Sequence, residues 1–167
     1  MARRSAPTFD ALVERMAGLL PRLRRRRLTL AVAESCTGGL LSAVLTAHDG
    51  ASEIMLGGGV VYSNEAKTIL ADVAPQLIAS HGAVSPVVAG ALARGARLRL
   101  GAKAGLGITG IAGPGGATPG KPVGLTYIAI DSEAHSAVKK HLWTFDRAGN
   151  RLASVGAALD LLDELAG

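Results

Sequence analysis

The stretch Leu28-Thr29-Leu30-Ala31-Val32-Ala33-Glu34-Ser35-Cys36-Thr37-Gly38-Gly39-Leu40 decides how the rest of the chain is read. Its first six residues form an apolar run of the length of a buried strand. From Leu40 to Thr46 the composition turns rich in Ala and Leu and reads as a helix. Between them lie a carboxylate, a hydroxyl, a thiol, a threonine able to cap the helix through its side-chain oxygen, and two glycines. Glycine in a first helical turn costs roughly 1 kcal/mol relative to alanine, so Gly38-Gly39 is poor helix chemistry. It does let a ligand approach bare N–H groups at the positive end of a helix. A strand-to-helix junction is also where open α/β sheets hold their ligands. A capped helix with small residues for tight packing is the alternative; it accounts for Thr37 but not for the glycine pair.

Working outward, Phe9, Leu12, Val13, Met16, Leu19, Leu20 and Leu23 follow the spacing of an amphipathic helix. Downstream, Gly57 to Tyr62 reads as an extended segment, and Ser63-Asn64 caps a short helix from Glu65 to Leu70. Pro75 opens another helix that ends near His81-Gly82. Ser85-Pro86 is an N-cap followed by proline at the first helical position, and Val87 to Leu100 continues that helix. Ala102 to Thr109 reads as a second buried strand, and Gly110 to Pro122 as a loop. Val123 to Asp131 and Ala137 to Phe145 form a hairpin across the turn Ser132 to Ser136. A last helix runs from about Leu152 to Leu165. Strands separated by helices early, then a late hairpin, define a single α/β domain: a three-layer α/β/α sandwich on a mixed, mostly parallel sheet. It is expected to span residues 1–167, with 1–7 disordered.

Composition narrows the function classes. A chain of 167 residues with 49% apolar content builds one domain with a core of Ala, Val, Leu and Ile. No apolar stretch reaches the length of about 20 residues that a membrane span needs. The N-terminus lacks a secretory signal. One cysteine excludes an intrachain disulfide framework and fits a reducing cytoplasm. The net charge of +5 owes much to Arg22-Leu23-Arg24-Arg25-Arg26-Arg27, at the end of the first helix, where cations complement the helix dipole. Non-specific nucleic-acid binding is the other use of such a patch. The chain's five aromatic residues (two Phe, two Tyr, one Trp) lie away from it, so nucleic acid is not the expected partner.

Two glycine patterns carry no nucleotide site. Gly105-Leu106-Gly107-Ile108-Thr109-Gly110 fits G-x-G-x-x-G, but Ile111-Ala112-Gly113-Pro114 cannot open the helix that this fingerprint requires. Gly115 to Lys121 mimics a P-loop, with Pro122 in place of the hydroxyl residue. The Gly110–Pro122 loop can still present backbone N–H groups to a polar ligand at a strand end. Lys67, one turn into its helix, can reach back to the strand end where Tyr62 sits. A lysine whose pKa is depressed serves as general base for a serine in known hydroxyl-nucleophile sites. Read alone, it is an exposed helix residue. The four histidines are dispersed without metal-ligand spacing, so neither a metal nor another cofactor is expected.

Five blocks taken together resemble the CinA C-terminal domain family: Ala33–Gly39, Gly59–Lys67, His81–Ser85, Thr109–Gly116 and Lys121–Gly124. The likeness runs from about Ala11 to Leu165, and the chain resembles the family's stand-alone form. Characterised members are nicotinamide-nucleotide amidohydrolases. The resemblance implies hydrolysis of nicotinamide mononucleotide to nicotinate mononucleotide and ammonia, in a homodimer or higher homo-oligomer, without metal. It also implies roles: Ser35 as nucleophile, Lys67 as base, and Tyr62 assisting proton movement or orienting the pair. Thr109 and Gly110 would line the site, with Thr37, Gly38 and Gly39 offering backbone donors to phosphate or oxyanion. Cys36, beside Ser35, is the competing nucleophile. One block departs. The family's Phe-x-Gly-Asp-Arg becomes Phe145-Asp146-Arg147-Ala148-Gly149-Asn150-Arg151. Arg151 then matches the substrate-binding arginine after a two-residue insertion, and Asn150 replaces the acid. Val155 stands where a second arginine is expected, and Arg147 could take over from Arg151. The alternative function is a catalytically silent domain that binds nucleotides or proteins in competence or DNA-damage responses.

Overall fold

A computed structural model describes residues 5–167. Five strands form one sheet: β1 (Leu30–Glu34), β2 (Met55–Val60), β3 (Ala104–Gly110), β4 (Leu125–Ser132) and β5 (Ser136–Leu142). Their order is β2-β1-β3-β4-β5. β1 pairs in parallel with both β2 and β3, whereas β3–β4 and β4–β5 are antiparallel. Four strands therefore point the same way and β4 alone is reversed.

Six helices cover the two faces: α1 (Phe9–Arg25), α2 (Leu40–Leu45), α3 (Asn64–Ala71), α4 (Pro75–His81), α5 (Pro86–Leu100) and α6 (Arg147–Ala166). The period-2 geometry of strands sorts side chains by size. Leu30 and Val32 of β1, Leu106 and Ile108 of β3, and Ile128 and Ile130 of β4 pack against α1, α2 and α6. The intervening Ala31 and Ala33 face α3, α4 and α5, as Ala129 faces α5. Gly105 and Gly107 belong to this second face. A Cβ on Gly105 would lie 1.9 Å from the Ala93 carbonyl oxygen, and one on Gly107 would lie 2.4 Å from that of Ala89. The G-x-G spacing in β3 is thus a seat for α5 rather than a dinucleotide turn.

Two sequence expectations need correction. The last helix begins at Arg147, five residues ahead of the expected Leu152, because Asp146 caps it by accepting the Gly149 N–H at 2.7 Å. Gly149 survives inside the helix because it packs against Phe145 and Ala6, where a Cβ would be 2.6 and 3.0 Å from theirs. Thr37, second, does not cap α2: the N-cap is Gly39, in the left-handed region with φ of 98°, and it has no side chain to offer. Of the segment 1–7 expected to be disordered, residues 1–4 lie outside the described residues. Ala6 and Pro7 lie alongside Gly149 and Gly156 of α6.

The arginine run is largely used within the fold. Arg22 pairs with Asp163, Arg24 with Glu53 at 2.5 Å, and Arg26 donates to the Leu165 and Ala166 carbonyls at the end of α6. No helix among the described residues is long and apolar enough to cross a membrane.

Candidate active site

The carboxyl ends of β1, β2 and β3 lie side by side, and the chain leaves β1 into α2 on one face of the sheet and β2 into α3 on the other, the arrangement that opens a crevice in α/β folds. Ser35 follows β1, and its N–H donates to the Ile108 carbonyl of β3 at 3.0 Å, which extends the strand pairing to the serine itself. Val61, Tyr62 and Ser63 follow β2, and Ser63 caps α3 by accepting the Ala66 N–H at 3.0 Å. One turn into that helix, Lys67 folds its side chain back over the cap.

The Lys67 Nζ lies 3.1 Å from Ser35 Oγ, 2.9 Å from the Val61 carbonyl and 3.1 Å from the Tyr62 carbonyl, with the Ser63 carbonyl farther off at 3.5 Å. Lys67 is only 2% exposed and Ser35 8%. Burial pushes the lysine pKa below its ordinary 10.5. A neutral amine has two N–H bonds, which the two nearer carbonyls accept, and its lone pair then faces the serine hydroxyl. This is the geometry of a base set to take the Ser35 proton.

Cys36 is unlike its neighbour. Burial raises its thiol pKa from 9.0 to about 11, so at neutral pH it stays protonated and a poor nucleophile.

The junction that follows is organised by Glu34. Its buried carboxylate accepts the Thr37 hydroxyl at 2.7 Å, the Gly39, Leu41 and Ser42 N–H groups at 3.2, 2.9 and 2.8 Å, and the Ser42 hydroxyl at 2.7 Å. The positive end of α2, expected to receive a ligand, is filled by the protein's own anion. Gly38 donates its N–H to the Ser35 carbonyl at 3.1 Å. The N–H groups of Gly38 and Gly39 are therefore committed. Those of Cys36 and Thr37 have no hydrogen-bond partner among the described residues.

Ser35, Cys36, Lys67, Tyr62, Thr109 and Gly110 share a cavity of about 200 Å³, completed by Asn64, Ala83, Val84, Ala112 and Arg147. Thr109 is buried, and its hydroxyl donates to the Ala83 carbonyl at 2.8 Å, tying β3 to the loop before α5. Gly110 is required by close packing, since a Cβ would stand 2.6 Å from Thr126 Oγ1. Tyr62 is 60% exposed; its hydroxyl accepts from Arg147 at 3.1 Å and touches neither Ser35 nor Lys67.

Thr37, Gly38, Gly39 and Arg151 do not line this cavity. Arg151 stands behind the serine loop, donating from Nε to the Cys36 carbonyl at 3.1 Å and from Nη2 to the Thr37 carbonyl at 3.0 Å. Asn150 ties the same helix start to the Ala112 carbonyl at 3.0 Å and accepts the Phe145 N–H. Val155 is in the core. Among the described residues no three His, Cys, Asp or Glu side chains gather as a metal site.

A serine–lysine pair at the strand ends of a single five-stranded α/β sandwich defines the class. The CinA C-terminal domain matches residues 13–166, and the chain belongs to that family. It is 53% identical over 140 residues to a CinA-like protein of Acidobacterium capsulatum, covering 84% of this chain and 34% of the relative. The chain spans about a third of the length of such relatives. Among solved structures, the competence/damage inducible protein CihA from Agrobacterium tumefaciens superposes with a TM-score of 0.91 at 33% identity, over 100% of both chains. A CinA superfamily protein from Escherichia coli gives 0.87 at 31%, over 95% of this chain and 90% of that one.

Proposed function

We propose that this chain is an amidohydrolase that converts nicotinamide mononucleotide to nicotinate mononucleotide and ammonia. The observation that carries this reading is the buried Lys67 amine 3.1 Å from Ser35 Oγ, with two backbone carbonyls orienting it. Ser35 Oγ attacks the amide carbon as Lys67 takes its proton, forming a C–O bond and a tetrahedral oxyanion. The amide of Cys36, which lines the cavity and has no hydrogen-bond partner among the described residues, is the donor left to hold that oxygen. The lysine then hands the proton to the departing nitrogen, and the C–N bond breaks to release ammonia. Water, activated by the same amine, cleaves the acyl-serine. Tyr62 contributes through its carbonyl, which orients Lys67.

The test is ammonia release from the mononucleotide by the purified protein. Ser35→Ala is expected to abolish it and Lys67→Ala to reduce it by roughly a thousandfold or more. Undiminished turnover in Ser35→Ala refutes the mechanism. No release by the unaltered protein, with binding retained, leaves a nucleotide-binding domain instead.

A further inference from the structure

The cavity over Ser35 measures about 200 Å³, and part of its wall is Thr109, Gly110 and Ala112, where the chain leaves β3. Ile111 still follows the sheet: its N–H donates to the Leu125 carbonyl at 2.8 Å, and its own carbonyl accepts the Gly124 N–H at 2.7 Å. Ala112 lies past that ladder, so its place is set from elsewhere.

The Asn150 side chain supplies the hold. Its Nδ2 donates to the Ala112 carbonyl at 3.0 Å, and its Oδ1 accepts the Phe145 N–H at 3.1 Å. These partners fix which end of the amide is which, since the reverse would set donor against donor and acceptor against acceptor. Among the described residues no other donor reaches the Ala112 carbonyl. Asn150 is 2% exposed, so water has no room to stand in for it. An amide is also costly to bury where an apolar side chain would serve for packing alone. Arg147 holds the next carbonyl, that of Gly113, but it is exposed and solvent can replace it.

The next residue along α6 grips a different part of the cavity lining. Arg151 donates to the Cys36 and Thr37 carbonyls of the serine loop. Consecutive residues of one helix therefore hold the loop that carries Ser35 and the wall at Ala112. Ser154, one turn on, is as deeply buried, yet its hydroxyl meets Trp143 Nε1 and the Asn150 carbonyl and reaches no residue of the cavity.

We propose that Asn150 is a positioning residue that fixes the Ala112 wall relative to Ser35 and so determines how closely the cavity fits the ring that enters it. The fit to substrate rests on the amidohydrolase reading; the placing of the wall does not.

Two measurements on Asn150→Leu and Asn150→Ser test it. The serine hydroxyl is too short to span both partners, and this milder variant decides the matter if Asn150→Leu does not fold. Amide exchange followed by NMR should be at least about tenfold faster at Ile111, while Ile108, inside β3, keeps pace only with global unfolding. In steady-state kinetics with nicotinamide mononucleotide, KM should rise at least about fivefold and kcat stay within about threefold, because Asn150 touches neither Ser35 nor Lys67. Ser154→Ala is the control and should leave KM within about twofold. Exchange at Ile111 that rises only in step with Ile108 overturns the proposal. So does an unchanged KM in an active Asn150 variant, or an equal rise in Ser154→Ala. Absence of ammonia release by the unaltered protein removes the amidohydrolase reading, and the exchange result alone then decides whether Asn150 sets the wall.

Discussion

The carboxylate of Glu34 sits on the N–H of Leu41 at 2.9 Å, inside the protein, where the first turn of α2 would otherwise bind an anion from outside. It closes strand end, serine loop and helix start into one unit, because the same two oxygens also hold Thr37, Gly39 and Ser42. Negative charge at a helix start is favourable, and in a buried position all of its donors lose their partner if it is removed.

Glu34→Ala is therefore expected to destabilise the fold by about 3 kcal/mol or more, with Glu34→Gln intermediate because one amide oxygen remains. In the proposed reaction kcat should fall while KM changes little, since Glu34 touches the loop that carries Ser35 and not the cavity. Urea unfolding and steady-state kinetics check both. A Glu34→Ala stability loss below about 0.5 kcal/mol, the level of an ordinary surface substitution, would remove this role.

The sequence makes the junction itself legible, but not how it is held. Strand, serine and helix follow from apolar patterning, and the meeting of Ser35 with Lys67 follows from the lysine lying one turn inside a capped helix after a neighbouring strand. Glu34 is another matter. A carboxylate at a strand end reads as solvated, and only the packing of α2 over β1 shows that it is buried among N–H groups. The start of α6 is obscured for a local reason: Gly149 looks like a helix breaker, so the residues ahead of Leu152 appear as loop. The fit of nearby Phe145 and of the distant Ala6 against that glycine overrides its propensity.

Cys36→Ala is expected to retain amidase activity within about threefold, because a thiol whose pKa is near 11 is almost entirely protonated at neutral pH. Alkylation by iodoacetamide should be slow, the side chain being buried. Loss of activity in Cys36→Ala comparable with that in Ser35→Ala would reassign the nucleophile.

Gly107→Ala tests the seat of α5. The new Cβ would meet the Ala89 carbonyl oxygen at 2.4 Å and the Ala93 nitrogen at 2.6 Å, both backbone atoms, so the helix itself must move. The cost should reach or exceed the upper end of the roughly 1–3 kcal/mol usual for overpacking. Displacement of α5 also pulls on Ala83, the partner of Thr109 at the cavity wall, so KM should rise. Gly115→Ala is the control: nothing lies within 4 Å of its Cβ position, and the change should stay below about 0.5 kcal/mol. Equal stabilities of the two variants would show that the contact with α5 is not tight.

The pH dependence of rate and of stability should share one origin in Lys67. The proposed base works unprotonated, so kcat/KM is expected to climb with pH and level off below the ordinary lysine value of 10.5, because burial has lowered the pKa. For stability, the folded state releases the Lys67 proton at pH values where the unfolded chain still binds it. Low pH consequently favours unfolding: stability rises from the depressed folded pKa up to 10.5 and is complete above it. Lys67→Met removes the ionisable group, so its stability should be flatter across that window, whatever its absolute value. Urea unfolding of both proteins over the alkaline range measures the difference in slope. A parallel pair of curves would mean that Lys67 titrates alike in the folded and unfolded chains, and burial would then make it no readier a base for Ser35 than an ordinary lysine.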